Sequence, residues 1–416
     1  MRILITAESY LPYLSGVTVS TEALARGLGA RGHDVLLLAP RPARGNEVGT
    51  AGAAGPEPAY AWLASYQLPR VAPPGYRMPW PMQWTGPSDA AVRFRPDLIH
   101  AQSPFVSGVL ARRLARRLRI PLVFTHHTRF VQYQHYLGPL AAPGGFLTDA
   151  YLRRFWSACA AVVAPSTDLA REISGRLANE AGRGTTPLVR VIPTGIDTAA
   201  IAELTPIDPR PAAGWEQRTL VVGTLGRLAP EKRVETVLEA VAIAAEREHR
   251  LRLLVIGDGP SLEALRRSAA APDLAGRVWF TGGLPRLEAL ARLRGADLFG
   301  FASDTETQGL VLSEALASGL PAVALDGPGV RDSVRDGIDG LVVDRPSGGG
   351  SARGGTALGA AILALATDDG RREAMAIRAS ADAGRFDVSV RLAQVEELYT
   401  EVLTARRALA AGLLRR

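Results

Sequence analysis

The sequence predicts an α/β protein with two Rossmann-like domains, and three observations support this prediction. A chain of 416 residues is too long for a single hydrophobic core of ordinary size. Its 47% hydrophobic and 21% charged content is typical of a globular protein. Short apolar segments that suit strands alternate with helical segments from Arg2 onward. The same alternation starts again after a proline-rich stretch at residues 206–211.

The first domain begins with a strand–helix–strand unit. A strand is predicted over residues 2–6, a helix over 18–31 and a second strand over 34–39. Gly32 stands where the helix should end. Further strands are predicted over 97–100, 122–125 and 161–164. Because helical segments separate these strands, the pattern indicates a parallel sheet with helices on both faces.

In the second domain the apolar segments predict six strands. They lie at 220–224, 251–256, 278–281, 298–301, 321–325 and 341–343. We place the two domains at 1–195 and 196–385. The last periodic segment, 388–409, is long enough for a helix that leaves the second domain. Residues 386–416 are therefore expected to pack back on the first domain.

Composition limits the class of protein and its surroundings. A net charge of +7 and a pI near 9.9 favour acidic partners, which are an anionic small molecule, a membrane surface or nucleic acid. No apolar run approaches the roughly 20 residues that cross a bilayer, and no signal-peptide pattern opens the chain. We expect a cytoplasmic protein that can also contact the inner face of the membrane. Cys159, the only cysteine, is expected to pack rather than react.

Loops that follow parallel strands are the first place to look for ligand contacts. In the loop at 15–17, Gly16 lets the backbone approach a ligand, and the helix start beyond Val17 offers N–H groups to an anion. An ordinary strand-to-helix turn is the alternative for this loop.

A second loop places Arg227 and Lys232 five residues apart, between a strand and a helix. Arginine binds phosphate oxygens through its planar fork, and lysine supplies a compact point charge. Lys232 is the only lysine among the 48 basic residues. Its position here favours a diphosphate site over a solvated charged turn.

A third loop, 303–310, leads into a helix that carries Glu314. Seven residues separate Glu306 from Glu314, so one carboxylate can face a sugar while the other reaches the ribose of a nucleotide. Backbone N–H groups near Gly309 and Leu310 are placed to stabilise a phosphate at the helix start. A capping role for Glu306 is the competing interpretation.

A fourth loop, directly after a predicted strand, is rich in histidine and aromatic residues. It contains His126, His127, Tyr133 and His135 and is expected to line the ligand cleft. The histidine spacing does not match a known metal-ligand pattern, and the chain has no Asp-x-Asp motif. The sequence therefore predicts no metal site.

Taken together, these motifs resemble the large retaining glycosyltransferase family of GT-B fold, family 4. The matching features are Gly226–Arg227 with Lys232, the Glu306-x7-Glu314 pair, Gly-Asp-Gly-Pro at 257–260 and Pro-Thr-Gly-Ile-Asp at 193–197. The resemblance spans roughly residues 1–400. It implies two Rossmann-like domains that face each other across a cleft. It also implies transfer of a hexose from a nucleotide sugar, without a metal or other cofactor.

The resemblance also implies roles for individual residues. In the family the arginine and lysine bind the donor diphosphate, the first glutamate contacts the hexose and the second binds the ribose. Arg227, Lys232, Glu306 and Glu314 take these roles here. A family histidine lies next to the donor sugar, and His127 fits it best, with His126 as the fallback. Further donor contacts are expected at Gly16, Val17, Gly282, Gly283, Leu284, Thr307, Gln308, Gly309 and Leu310.

In the implied mechanism His127, Glu306, Arg227 and Lys232 form the catalytic group. Arg227, Lys232 and the helix start stabilise the leaving diphosphate, and that diphosphate is itself a plausible base. His127 orients the sugar. The base of the nucleotide is read largely by backbone around 282–284, so both a uridine and a guanosine donor remain open.

A narrower resemblance concerns the acceptor. The segments 100–105, 127–136 and 306–311 look most like the subfamily that glycosylates diacylglycerol. Related members use other lipids or soluble natural products, so a soluble acceptor remains an alternative. Acceptor contacts are expected at Tyr76, His126, Tyr133 and His135.

Two further features bear on the acceptor. A helix predicted from Val109 carries Arg112, Arg113, Arg116 and Arg117 on one face. An anionic membrane contributes about 1 kcal/mol per basic residue, which offsets their mutual repulsion; a solvated outer face is the alternative. The proline-broken segment 73–84 carries aromatic residues that suit an apolar acceptor or ordinary packing.

The sequence also bears on other classes of protein. A glycosyl phosphorylase or a sugar-nucleotide epimerase shares the architecture, but a phosphorylase with pyridoxal phosphate needs a lysine, and the only one lies in the diphosphate motif. A binding module without turnover is suggested only by the basic charge, and the intact pair Glu306 and Glu314 argues against it. Stacking aromatics do not interleave the basic residues, so no nucleic-acid partner is predicted.

Overall fold

The computed structural model describes residues 1–13, 15–43, 56–67, 75–81, 85–128, 141–178, 186–345 and 351–413. The chain forms two compact units, Met1–Gly195 with Val388–Arg416, and Ile196–Asp387. Each unit is built on a parallel sheet with helices packed against it. This confirms the predicted α/β class with two Rossmann-like domains.

The first unit contains a seven-stranded sheet of order β3-β2-β1-β6-β7-β8-β9. These strands are β1 Arg2–Thr6, β2 Asp34–Pro40, β3 Ala59–Leu63, β6 Leu98–Ala101, β7 Leu122–Thr125, β8 Ala161–Ala164 and β9 Leu188–Val191. All six neighbouring pairs run parallel. A separate antiparallel ribbon pairs β4, Ser65–Tyr66, with β5, Met78–Pro79.

Among the described residues, six helices belong to the first unit. They are α1 Gly16–Ala30, α2 Thr85–Phe94, α3 Val106–Leu118, α4 Ala141–Trp156, α5 Thr167–Ala178 and, after the second unit, α15 Val388–Leu413. The sheet is buried on both faces: along β1, Leu4 joins one core, whereas Ile3 and Ile5 join the other. Burial on both faces explains why these strands read as nearly continuous apolar runs.

The C-terminal helix α15 packs on the first unit, as predicted. One side of it enters the core through Leu392, Val395, Leu398, Tyr399 and Val402, all of them buried. Their spacing of three or four residues is that of a helix face. A methyl group at Gly27 would overlap the Leu392 side chain, so the missing side chain lets α1 approach α15 closely.

The second unit contains a six-stranded parallel sheet of order β12-β11-β10-β13-β14-β15. Its strands are β10 Leu220–Leu225, β11 Leu251–Ile256, β12 Val278–Gly282, β13 Leu298–Phe301, β14 Ala322–Leu325 and β15 Gly340–Val343. The chain order reverses between β10 and β13. In such a sheet, ligands bind beyond the carboxyl ends of the strands at this switch point.

Helices flank the second sheet. They are α6 Thr198–Glu203, α7 Pro209–Ala213, α8 Val234–Ala245, α9 Leu262–Ala269, α10 Arg286–Leu293, α11 Leu310–Ala317, α12 Val330–Ser333, α13 Ser351–Ala366 and α14 Asp369–Ala381. Two short 3-10 helices span Pro230–Lys232 and Ala383–Phe386. The first of them carries the lysine of the predicted diphosphate loop.

The sequence missed four strands and placed two helix starts too late. Strand β9 is an edge strand with half-buried or exposed side chains, so it lacks a strong apolar signal. Helix α1 begins at Gly16 rather than Thr18, because Ser15 forms a capping box with Thr18. Helix α3 begins at Val106 rather than Val109, because the Glu8 carboxylate accepts the N–H groups of Val106 and Ser107.

Candidate functional site

In the second unit the loop after β10 is held by the loop after β11. The N–H of Gly226 donates to the Ile256 carbonyl at 3.0 Å, and the N–H of Leu228 donates to the Asp258 carbonyl at 2.9 Å. Arg227 lies between them with an exposed side chain. Among the described residues no acidic side chain forms an ion pair with the Arg227 guanidinium. The backbone is therefore fixed while the guanidinium stays available to an anion.

The close contact between the two loops requires the glycines of the Gly-Asp-Gly-Pro sequence at 257–260. A methyl group at Gly257 would overlap the carbonyl oxygen of Gly226, and one at Gly259 would overlap that of Leu228. Gly257 also has a positive φ of 143°, which side chains rarely adopt. Both glycines thus let the β11 loop support the loop that carries Arg227.

Lys232 and Glu306 meet although 74 residues separate them. The Lys232 Nζ lies 2.5 Å from the Glu306 Oε1, and both side chains are partly buried. Two hydrogen bonds hold the loops together, from the Asp304 N–H at 3.1 Å and from the Ser303 hydroxyl at 3.3 Å, both to the Glu231 carbonyl. Lys232, predicted to bind the diphosphate, and Glu306, predicted to contact the hexose, therefore lie together beyond the carboxyl ends of β10 and β13.

Two arginines that the sequence analysis missed hold the loop of Glu306. Asp304 pairs with Arg233 at 2.8 Å and with Arg345 at 2.6 Å. Arg345 also donates to the Ser303 carbonyl at 2.7 Å and to the Asp326 carbonyl at 2.6 Å. Burial lowers the pKa of the Arg345 guanidinium, although its acidic neighbours oppose this. Arg345 follows β15, so a search of every loop after a strand would have found it.

Glu314 lies in α11 and is only 5% exposed. Burial raises the pKa of its carboxyl group, and the positive charge of Arg286 opposes this rise. Arg286, at the start of α10, forms an ion pair with the Glu314 Oε1. Arg286 was not predicted as a site residue, although it lies two positions beyond the predicted base-reading segment, 282–284.

The start of α11 presents backbone donors. Gly309 precedes it with a left-handed φ of 74°, and no side chain of the described residues caps the helix. A side chain at Gly329 would come within 2.7 Å of the Gln308 carbonyl oxygen, so a glycine there lets the chain pack against the segment of Thr307 and Gln308. The first turn, from Leu310, can therefore donate N–H groups to an anion.

The predicted base-reading segment, Gly282 to Leu284, follows β12. The Gly282 carbonyl accepts the Gly257 N–H at 3.1 Å, which ties the end of β12 to the Gly-Asp-Gly-Pro loop. A methyl group at Gly283 would lie 3.4 Å from the Asp258 Cβ. The predicted phosphate, sugar, ribose and base contacts of the second unit thus all follow β10, β12 and β13.

In the first unit His127 follows β7 and bonds to Gln102, which follows β6. The His127 Nε2 lies 2.7 Å from the Gln102 Oε1. Burial lowers the pKa of His127 to about 4, so the imidazole is neutral at physiological pH. Gly16 and Val17, the other predicted donor contacts of this unit, form the start of α1, where Gly16 is exposed.

His126 lies in the core, 3% exposed. Its Nδ1 accepts the indole N–H of Trp156 at 3.3 Å, and its ring packs edge to face with Phe124. Tyr76 packs edge to face with Tyr13, and burial raises its pKa to about 12. The other predicted acceptor contacts, Tyr133 and His135, lie outside the described residues.

A buried histidine that was not predicted as a site residue joins three elements. The His100 Nδ1 lies 2.6 Å from the Tyr399 hydroxyl of α15, and its Nε2 lies 2.7 Å from the Thr125 hydroxyl at the end of β7. Burial, helped by His127, lowers the pKa of His100 to about 3. A cavity of about 50 Å³ adjoins this network and is lined in part by His100, Gln102 and Thr125.

The basic helix α3 carries no acidic residue. Arg113, Arg116 and Arg117 are exposed and Arg112 is partly buried. Within the described ranges, no group of three side chains could hold a metal ion. The helices described there also include none that is long and apolar enough to cross a bilayer.

Two doubly wound sheets, with acidic and basic side chains gathered beyond β10 and β13, define a nucleotide-sugar glycosyltransferase of GT-B fold. Residues 14–200 match the model described as Glycosyltransferase Family 4, and residues 208–379 match Glycosyl transferases group 1. The chain is 30% identical over 325 residues to a D-inositol 3-phosphate glycosyltransferase of Nocardia farcinica, covering 76% of this chain and 69% of that protein. The chain belongs to glycosyltransferase family 4, and it is a retaining hexosyltransferase.

Two further similarities agree with this membership. The chain is 29% identical over 352 residues to an alpha-monoglucosyldiacylglycerol synthase of Streptococcus pneumoniae, covering 82% of this chain and 75% of that protein. The fold resembles sucrose-phosphate synthase from Thermosynechococcus elongatus, with a TM-score of 0.73, 19% identity, and coverage of 97% of this chain and 99% of that one. The predicted family and the predicted enzyme class are therefore confirmed.

Proposed function

We propose that this protein transfers a hexose from a nucleoside diphosphate sugar to the hydroxyl of a glycerolipid such as diacylglycerol. The main support for a nucleotide-sugar donor is the ion pair between Lys232 and Glu306, together with the exposed side chain of Arg227 in the same loop as Lys232. For the acceptor half, support comes from the similarity to the diacylglycerol-glucosylating enzyme of Streptococcus pneumoniae.

In this proposal each donor group has its own contact. Arg227 and Lys232 bind the diphosphate, and the start of α11 at Gly309 and Leu310 donates backbone N–H groups to it. Glu306 accepts hydrogen bonds from the hexose, and Thr307 and Gln308 lie beside it. Glu314 accepts hydrogen bonds from the ribose. Backbone groups of Gly282, Gly283 and Leu284 contact the base, and Gly16 and Val17 approach the donor from the start of α1.

Arg227, Lys232 and the helix start stabilise the negative charge that develops on the leaving diphosphate. These fixed positive groups make a metal ion unnecessary. The acceptor hydroxyl attacks from the side that the diphosphate leaves, and the diphosphate takes its proton. An imidazole with a pKa of about 4 is neutral and a poor base at pH 7. His127 is therefore assigned a hydrogen bond to the hexose rather than the role of catalytic base.

In this proposal the first unit binds to the membrane surface, and the lipid acceptor reaches the protein from that membrane. The arginine face of α3 attracts anionic lipid headgroups. Phe146 and Leu147 of α4 are 70% and 67% exposed, which suits insertion into the apolar edge of a bilayer. Tyr76, His126, Tyr133 and His135 remain the proposed acceptor contacts.

A soluble acceptor is the second candidate. The relative from Nocardia farcinica is named for D-inositol 3-phosphate, a soluble anion. The arginine face of α3 would equally attract such an acceptor.

A turnover screen separates the two candidates. Purified protein is incubated with UDP-glucose, UDP-galactose, UDP-N-acetylglucosamine or GDP-mannose, with diacylglycerol in anionic vesicles, with the vesicles alone, or with inositol phosphate. Release of nucleoside diphosphate and the mass of the product are measured. Release that requires diacylglycerol and yields a glycosyl-diacylglycerol supports the proposal. Product formed only from the soluble acceptor refutes the lipid acceptor and retains the transferase.

A further inference from the structure

Gln102 is a buried amide that bonds to the histidine of the proposed donor site. It follows β6, is 3% exposed, and its Oε1 lies 2.7 Å from the His127 Nε2. An amide oxygen can only accept a hydrogen bond, so this contact requires the proton of His127 to be on Nε2. The identity of residue 102 therefore controls which ring nitrogen carries the proton.

We propose that Gln102 is a positioning residue that holds His127 in its Nε2–H form, so that Nδ1 presents a lone pair to a hydroxyl of the donor hexose. This proposal rests on the proposed function, because it takes the His127 ring to be a sugar contact. Gln102 itself touches no reacting atom. Its effect on the reaction passes through the imidazole.

The surroundings of the pair agree with this assignment. The Gln102 Nε2 has no hydrogen-bond partner among the described residues, and Gln102 lines the cavity of about 50 Å³. That volume exceeds the space that one water molecule needs, so the amide nitrogen can be solvated without turning toward His127. The amide oxygen remains committed to the imidazole.

Neutral His127 is needed for the lone pair on Nδ1. Among the described residues no carboxylate bonds to its ring. His100, which lines the cavity, bonds through its two nitrogens to Tyr399 and Thr125, and Arg391 lines the same cavity. Neither group stabilises an imidazolium. With Nε2–H committed to Gln102, the ring can accept one further hydrogen bond and donate none.

The tautomer can be measured in the whole protein without a substrate. Histidine-selective ¹⁵N labelling gives one pair of ring signals per histidine, and the chain has six. His127→Ala identifies the His127 pair by its loss. We expect the Nε2–H pattern in the unaltered protein. The Nδ1–H pattern would overturn the proposal. Exposed His249 of the second unit is the internal reference.

Two substitutions of Gln102 test the consequence for turnover. Gln102→Met keeps the length of the side chain and removes the hydrogen bond. We expect a mixture of tautomers, a roughly tenfold lower kcat, and a melting temperature lowered by only about 2–4 °C, which is what one lost hydrogen bond costs. An unchanged tautomer or an unchanged kcat contradicts the proposal.

Gln102→Glu supplies an acceptor and a negative charge. It preserves the Nε2–H form at high pH and should restore turnover there. The carboxylate also raises the pKa of His127, so turnover should fall as the pH drops and Nδ1 becomes protonated. A flat pH profile equal to that of Gln102→Met would count against the proposal. If His127→Ala is fully active while the tautomer is Nε2–H, the role of His127 in the proposed function fails, and the effect of Gln102 on the ring stands.

Discussion

The two glutamates of the Glu306-x7-Glu314 motif lie in different surroundings. Glu306 is partly exposed and pairs with Lys232, whereas Glu314 is buried and pairs with Arg286. Burial raises the pKa of Glu314, so its ionised form depends on the charge of Arg286. A carboxylate can accept hydrogen bonds from both hydroxyls of the ribose that we propose it binds, whereas a protonated carboxyl group loses part of that capacity.

Replacing Arg286 should therefore weaken donor binding in a pH-dependent way. In Arg286→Ala the pKa of Glu314 rises further, and the protonated form becomes more populated as the pH falls. We expect the KM for the donor to rise as the pH falls, and kcat to change little. Arg286→Lys keeps the charge and is the matched control. A donor KM for Arg286→Ala that matches the unaltered protein at every pH would contradict this prediction.

The sequence indicated which single residues could contact a ligand, but not which side chains contact each other. The only lysine and the spaced glutamates marked Lys232, Glu306 and Glu314. Nothing local indicated that Lys232 contacts Glu306, 74 positions away, or that Arg286 contacts Glu314. Gln102 and His100 follow β6, but their partners come from β7 and α15. Such contacts depend on the sheet order.

At the scale of elements, the strands with continuous apolar runs were predicted because such runs are local signals, whereas β3, β4, β5 and β9 were not predicted. Strands β7, β8, β11 and β13 have the predicted bounds. The start of α3 was missed, because Glu8, which caps it, lies 98 residues away from Val106. The predicted arginine face of α3 needed only the helical period of the sequence.

The loop after β11 should be intolerant of side chains. In Gly259→Ala the new methyl group overlaps the carbonyl of Leu228 and displaces the loop of Arg227. Overpacking costs about 1–3 kcal/mol, so we expect nucleoside diphosphate to bind roughly tenfold more weakly or worse. Isothermal calorimetry with UDP and GDP measures this. Gly175→Ala in α5, where a methyl group meets no atom, is the control and should bind normally. Equal affinity for both variants would refute the supporting role of Gly259.

The arginine face of α3 should determine vesicle binding. Changing Arg112, Arg113, Arg116 and Arg117 to glutamine removes about 1 kcal/mol of attraction per residue near an anionic surface. We expect sedimentation with phosphatidylglycerol vesicles to be largely lost at low salt. The control changes four exposed arginines of the second unit, Arg218, Arg266, Arg267 and Arg371, to glutamine. Equal loss in both variants would show that net charge, rather than α3, drives the binding.

At the scale of the whole molecule, the chain leaves the first unit after Gly195 and completes it only with α15. Leu398, Tyr399 and Val402 belong to the same core as Ile3 and Ile5. The apolar period predicted the helix, and its length led to the expectation that it returns to the first domain. The hydrogen bond between Tyr399 and His100 could not be predicted, since it joins residues 299 positions apart.

This hydrogen bond should contribute to the stability of the first unit. In Tyr399→Phe the ring still fills its space, but the His100 Nδ1 loses its partner in a fully buried place. Leaving a buried polar group without a partner costs about 1–3 kcal/mol. We expect a lower denaturant midpoint for the first unit with an unchanged slope, followed by the fluorescence of the buried Trp156 in a background where the other five tryptophans are changed to phenylalanine. Val390→Ala, at a 42% exposed position of α15, is the matched control and should leave the midpoint unchanged. If Tyr399→Phe were equally neutral, this hydrogen bond would add nothing to the packing of α15 on the first unit, and His100 would need another partner for its Nδ1.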